Sequence, residues 1–142
     1  MLDLVARILK NDRTVVFAYL FGSRAKQYQH SQSDWDIAVF LDPPPKDGPH
    51  GKKYLDLYLK ISKELRTDSV DVVILNCATP SLAKAALTGK RLFCRNTAKY
   101  VRYFVQLMHD LDDQMYLVDA YVPALKKRLN ERTGRGRPST RH

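Results

Sequence analysis

Leu2, Val5, Ile8 and Leu9 recur at the spacing of one helical face, so the chain is expected to open on a short helix over residues 2–10. Asn11-Asp12 breaks it. Thr14 to Phe21 is β-branched, aromatic and apolar throughout, the pattern of a strand buried on both faces. Gly22-Ser23 stops that strand abruptly; residues 24–29 suit a short helix or turn and 31–33 a polar loop. Trp35 to Leu41 (WDIAVFL) reads as a second strand, and the proline-rich stretch from Asp42 to Lys53 as an irregular loop. Tyr54, Leu57, Tyr58, Ile61 and Leu65 mark one face of a helix over roughly 53–66. Val70 to Leu75 is a third strand. Thr79-Pro80 offers an N-cap hydroxyl followed by proline at the first helical position, and Gly89 is placed to end that helix. Arg91 to Cys94 is expected to be a fourth short strand. An apolar stripe from Val101 to Leu129 then sustains a long C-terminal helix, with Pro123 set to kink or split it. The order is α-β-β-α-β-α-β-α, an α/β (α+β) fold with a small mixed sheet flanked by helices.

Composition fits a soluble globular domain, with 142 residues, 44% hydrophobic and 27% charged. The longest apolar run, Val15 to Phe21, is far short of a membrane span, and MLDLVARILK has neither the core nor the cleavage site of a signal peptide. Cys77 and Cys94 show no metal-ligand spacing; with no export signal they are expected to be reduced thiols in a cytoplasmic protein. The net charge of +9 changes meaning once it is located. Residues 126–142 hold seven Lys or Arg against one acid, a net of +6, which leaves +3 on the other 125 residues. A domain is expected over 1–130 (core 12–95, C-terminal helix 97–130), nearly balanced in charge over its first 125 residues, with a basic, disordered tail over 131–142. Nucleic acid is therefore the less favoured partner, since a binder more often spreads its charge over a folded face.

The chemistry sits at three places. Asp34 and Asp36 are two apart and so project from one face of a strand entrance, with Trp35 turned the other way into the core. Adjacent carboxylates raise each other's pKa unless a cation lies between them, and hard oxygen ligands favour Mg²⁺. If the first two strands are antiparallel neighbours, Gly22-Ser23 lies beside these aspartates. If a helical crossover makes the second and third strands parallel, Asp71 lies there too. Gly22 lets backbone approach a ligand, while Ser23 and the amides that follow can bind phosphate. Carboxylates holding two Mg²⁺ ions suit attack of a hydroxyl on the α-phosphate of a nucleotide, with departure of pyrophosphate.

GSRAKQYQHSQSDWD, a Gly-Ser followed after ten residues by Asp-x-Asp, resembles the signature of the polymerase-β-like nucleotidyltransferase superfamily. With FAYLFGSRA, SDWDIAVFL and VDVVIL on so short a chain, it is similar to the minimal nucleotidyltransferase (MNT) antitoxins over about residues 14–95. It departs from the usual pattern in having Lys26-Gln27 where glycine is common and Trp35 between the two aspartates. Arg24, next to the phosphate turn, is suited to hold a phosphate or a partner acid. The resemblance implies that Gly22 and Ser23 cradle the phosphates of ATP. It implies that Asp34 and Asp36 hold both metals and that Asp71 helps to ligate one metal and to activate the acceptor. It further implies transfer of AMP to a tyrosine of a cognate HEPN-type ribonuclease toxin. The alternatives are a nucleotidyltransferase acting on a small molecule or a nucleic acid, and an antitoxin that works by contact alone.

Overall fold

The computed structural model describes residues 2–22 and 34–111. The elements follow in the expected order: α1 (Leu2–Lys10), β1 (Val15–Phe21), β2 (Trp35–Leu41), α2 (Lys52–Leu65), β3 (Val70–Ile74), a 3₁₀ turn (Leu75–Cys77), α3 (Pro80–Leu87), β4 (Lys90–Cys94) and α4 (Thr97–Leu111). The described residues fall into two units, divided between Asn96 and Thr97. No helix among the described residues is long and apolar enough to cross a membrane.

The first unit is built on a four-stranded mixed sheet in the order β3-β2-β1-β4. β1 is antiparallel to both neighbours, and β2 and β3 run parallel, joined through α2. The central position of β1 explains its unbroken apolar sequence: six of its seven residues are buried. One face of the sheet carries Val15, Ala18, Leu20, Trp35, Ile37, Val39 and Leu41 into a core shared with Val5 and Leu9 of α1 and Leu57, Ile61 and Leu65 of α2. That core accounts for the helical periodicity of α1 and α2, whose apolar stripes are the surfaces in contact with it.

Local chemistry fixes the ends. Asp12 stops α1 and accepts hydrogen bonds from the backbone N–H (3.0 Å) and hydroxyl (2.6 Å) of Thr14. It also pairs with Lys53 of α2. Burial works against its charge, but the hydrogen bonds from Lys53 and Thr14 and the ammonium charge outweigh it and hold the carboxyl below its usual range. At the far end of β2, the Asn76 side-chain amide donates to the Leu41 carbonyl (2.8 Å) and accepts from its N–H (2.9 Å). It stands in for a neighbouring strand where β3 has ended. Thr79 caps α3 as its sequence predicts, accepting from the Leu82 N–H at 3.3 Å. Gly89 does more than end that helix. A Cβ there would overlap the Leu20 carbonyl and stand 2.8 Å from Phe21 Cβ, so β4 can close on β1 only without a side chain at this point.

In the second unit, α4 carries a stacked Tyr100–Phe104 pair with ring centroids 6.1 Å apart and a buried Leu107. The expected continuation of the helical stripe to Leu129, the Pro123 kink and the basic tail all lie outside the described residues.

Candidate active site

The second face of the sheet is assembled by pairing. Phe21 pairs with Asp36 across β1 and β2, and Asp36 pairs with Asp71 across β2 and β3. Directly paired residues share a face, so Asp71, Asp36 and Phe21 form one row across three strands. The next row holds Val73, Ala38, Tyr19 and, on β4, Arg91. Trp35, between the two aspartates in sequence, is buried in the core on the opposite face, as strand alternation requires. Its N–H donates to the Ser69 carbonyl at 2.9 Å, which closes the start of β2 onto the segment before β3.

Asp34 lies one residue before β2 and is exposed; Asp36 is half-buried and Asp71 exposed. The pKa of Asp36 is raised, first by burial, then by the charge of Asp71 and then by that of Asp34. The three aspartates are thus electrostatically coupled, with Asp36 at their centre. Among the described residues no group of three or more His, Cys, Asp or Glu forms a ready-made metal cage. Their donor chemistry nevertheless suits a hard divalent cation, because every ligand atom is a carboxylate oxygen and the crowded charge is relieved by a cation.

Gly22 completes the cluster. Its φ of 74° lies in the left-handed region. A Cβ on it would overlap Asp36 Oδ2 and stand 3.1 Å from Asp36 Cγ. The backbone therefore turns directly over the central carboxylate, a close approach open to glycine alone. Ser23 and Arg24 lie outside the described residues.

Tyr19 and Arg91 also lie on this face, and no motif in the sequence marks either of them. Arg91 Nε donates to the Tyr19 hydroxyl at 3.3 Å, and the guanidinium carbon lies 6.0 Å from the centre of the Tyr19 ring. A four-residue match in β-propensity carries no sign of this, because the face that Arg91 occupies is set by its pairing with β1.

The family described as polymerase beta, nucleotidyltransferase matches residues 4–98. No curated protein matches the chain in sequence. Among solved structures, the chain is similar to a toxin–antitoxin complex with AMP-PNP at 25% identity and a TM-score of 0.59, covering 84% of this chain and 96% of that one. A complex of tri-AMPylated Shewanella oneidensis HEPN toxin with MNT antitoxin is 24% identical with a TM-score of 0.54, covering 94% of this chain and 98% of that one. The MntA–HepT toxin–antitoxin structure is 22% identical with a TM-score of 0.55, covering 93% and 95%.

Proposed function

The chain belongs to the polymerase beta nucleotidyltransferase family, and from that premise we propose that it is an antitoxin that transfers AMP from ATP to a tyrosine hydroxyl of a HEPN-type toxin. The observation that carries the reading is the row of Asp71 and Asp36 with the Gly22 backbone turned over the central carboxylate. The similar structures support the rest of it: one holds an ATP analogue, and another pairs an MNT antitoxin with an AMPylated HEPN toxin.

In the proposed reaction the tyrosine oxygen attacks the α-phosphorus of ATP. A new O–P bond forms, the bond from the α-phosphorus to the oxygen bridging to the β-phosphate breaks, and pyrophosphate leaves. The tyrosine proton passes to the Asp71 carboxylate, which is exposed at the end of the row and accessible to an acceptor on another protein. Gly22 brings main chain rather than side chain to the nucleotide, and Ser23 and Arg24 follow it as donors to the phosphates. Asp34, Asp36 and Asp71 would hold two Mg²⁺ ions, which when bound polarise the phosphoryl oxygens and neutralise the charge that develops on them. Asp36, half-buried between the other two, is placed to orient the nucleotide and keep its position when the acceptor binds.

The test separates binding from chemistry. Asp71→Ala should reduce AMP transfer by about 10²-fold or more while ATP affinity changes much less, because a group acting on the acceptor matters most in the transition state. ATP affinity by titration and adenylylation of the toxin tyrosine by mass spectrometry are measured on the same preparations. Neutralisation of the toxin by a chain that leaves it unadenylylated would replace this reading with inhibition by contact.

A further inference from the structure

The sheet face that bears the aspartates changes sign from one side to the other. Asp71 stands on β3 and Asp36 on β2, Gly22 follows β1, and Arg91 is on β4. Resting on the nucleotidyltransferase reading, we infer that Arg91 binds the leaving pyrophosphate. In phosphoryl and nucleotidyl transfer the attacking and leaving oxygens lie roughly in line on opposite sides of the phosphorus. The acceptor enters on the Asp71 side of the α-phosphate. The β- and γ-phosphates therefore point across β2 toward β1 and β4, which is the direction of Gly22 and Arg91.

A break in the strand pairing puts Arg91 there. Phe17 pairs with Cys94 and Ala18 with Phe93, but the register then shifts and Tyr19 pairs with Arg91, passing over Leu92. Without that shift Tyr19 would face Leu92, and Arg91 would pair with Leu20 on the core face. A one-residue shift turns a side chain to the other face of a sheet, and bulges beside sites commonly re-aim a residue in this way. The re-aimed guanidinium is then oriented by the Tyr19 hydroxyl and the adjacent ring, while the residue as a whole stays exposed. With strands about 4.8 Å apart and rows about 7 Å apart, the Asp36 and Arg91 backbones are separated by roughly 12 Å. An extended triphosphate and an arginine side chain together cover that span. Lys90, one residue away, pairs with Leu20 and belongs to the opposite face, so it makes an internal control of the same charge.

The experiment is calorimetric titration of the full chain and its Arg91→Ala, Arg91→Lys and Lys90→Ala variants with ATP, AMP and inorganic pyrophosphate in magnesium buffer, with melting curves alongside. Arg91→Ala should lose about tenfold or more in affinity for pyrophosphate and ATP. Its AMP affinity should match that of the unaltered chain. Arg91→Lys keeps the charge without the guanidinium fork and should lose less; it also decides the matter if the alanine variant melts early. Lys90→Ala should bind all three as the unaltered chain does. Equal pyrophosphate binding by Arg91→Ala, an AMP loss as large as the pyrophosphate loss, or an equal loss in Lys90→Ala would overturn the inference. If the unaltered chain binds ATP and transfers AMP while Arg91→Ala titrates identically, the inference fails and the nucleotidyltransferase reading stands. An unaltered chain that takes up no ATP overturns both.

Discussion

At Gly22 two requirements meet in one residue: a φ of 74° and room for the Asp36 carboxylate where a Cβ would sit. Gly22→Ala should destabilise the fold by about 1–2 kcal/mol from the left-handed backbone alone. It must also push Asp36 out of its row, so AMP transfer should fall further than stability, and parallel melting and transfer assays check this. At Asp36 function and stability pull in opposite directions. Its pKa is raised in the folded chain, so the folded state holds the proton more tightly than the unfolded state. The stabilisation is complete below the ordinary carboxyl value of 3.8 and is lost as pH rises through the raised value. In chelator-treated buffer at pH 7, Asp36→Asn should therefore melt higher than the unaltered chain and show a flatter pH dependence above 3.8. Added Mg²⁺ should raise the melting temperature of the unaltered chain and not of the variant, by linkage to the folded state. Transfer by Asp36→Asn should fall by at least about 10²-fold. Full transfer by this variant would remove the aspartates from the mechanism.

At the scale of elements, the join between α1, β1 and α2 depends on Asp12. It receives both donors of Thr14 and the Lys53 ammonium, and its pKa is lowered, the reverse of Asp36. The sign reverses with it. The stability Asp12 supplies is present above 3.8 and is lost as pH falls through its depressed value. Asp12→Ala should cost about 2 kcal/mol at pH 7, and its deficit should shrink in acid below that value, as denaturant melts at several pH values would reveal. Adenine nucleotide affinity should be unchanged, because this join lies on the core face and not on the face of Asp36. The α2 helix was legible from its apolar period, and α3 from Thr79-Pro80 and Gly89, because those signals are local. The 3₁₀ turn at Leu75–Cys77 was not: the apolar run from Val70 to Leu75 predicts strand to its end. The Asn76 amide bonds to Leu41, thirty-five residues away, and thereby ends the ladder at Ile74.

For the whole molecule, charge is the property to test. Most of the net +9 resides in residues 126–142, while the aspartate face is locally negative. Deletion of residues after Leu129 should leave melting temperature and ATP affinity unchanged. The deletion removes four of the seven cations, Arg132, Arg135, Arg137 and Arg141; if they steer the toxin, it should slow adenylylation at low salt and make no difference at high salt, where charges separated by more than about 10 Å are screened. A large fall in melting temperature would instead place these residues in the core.

By itself the sequence determined the element order, the buried central strand, the opposed directions of Trp35 and the two aspartates, and the Gly-Ser and Asp-x-Asp spacing. Each of these follows from period, turn chemistry or residue type within a few positions of chain. Tertiary structure decided what depends on pairing. It set Asp36 opposite both Phe21 and Asp71, made Asp36 rather than Asp34 the half-buried centre of the cluster, and turned the Gly22 backbone onto its carboxylate. It also placed Arg91 on the aspartate face through a one-residue register shift against β1. A period of two tells which residues of a strand share a face, but which face they share with the next strand depends on register, and register is settled only when the strands dock.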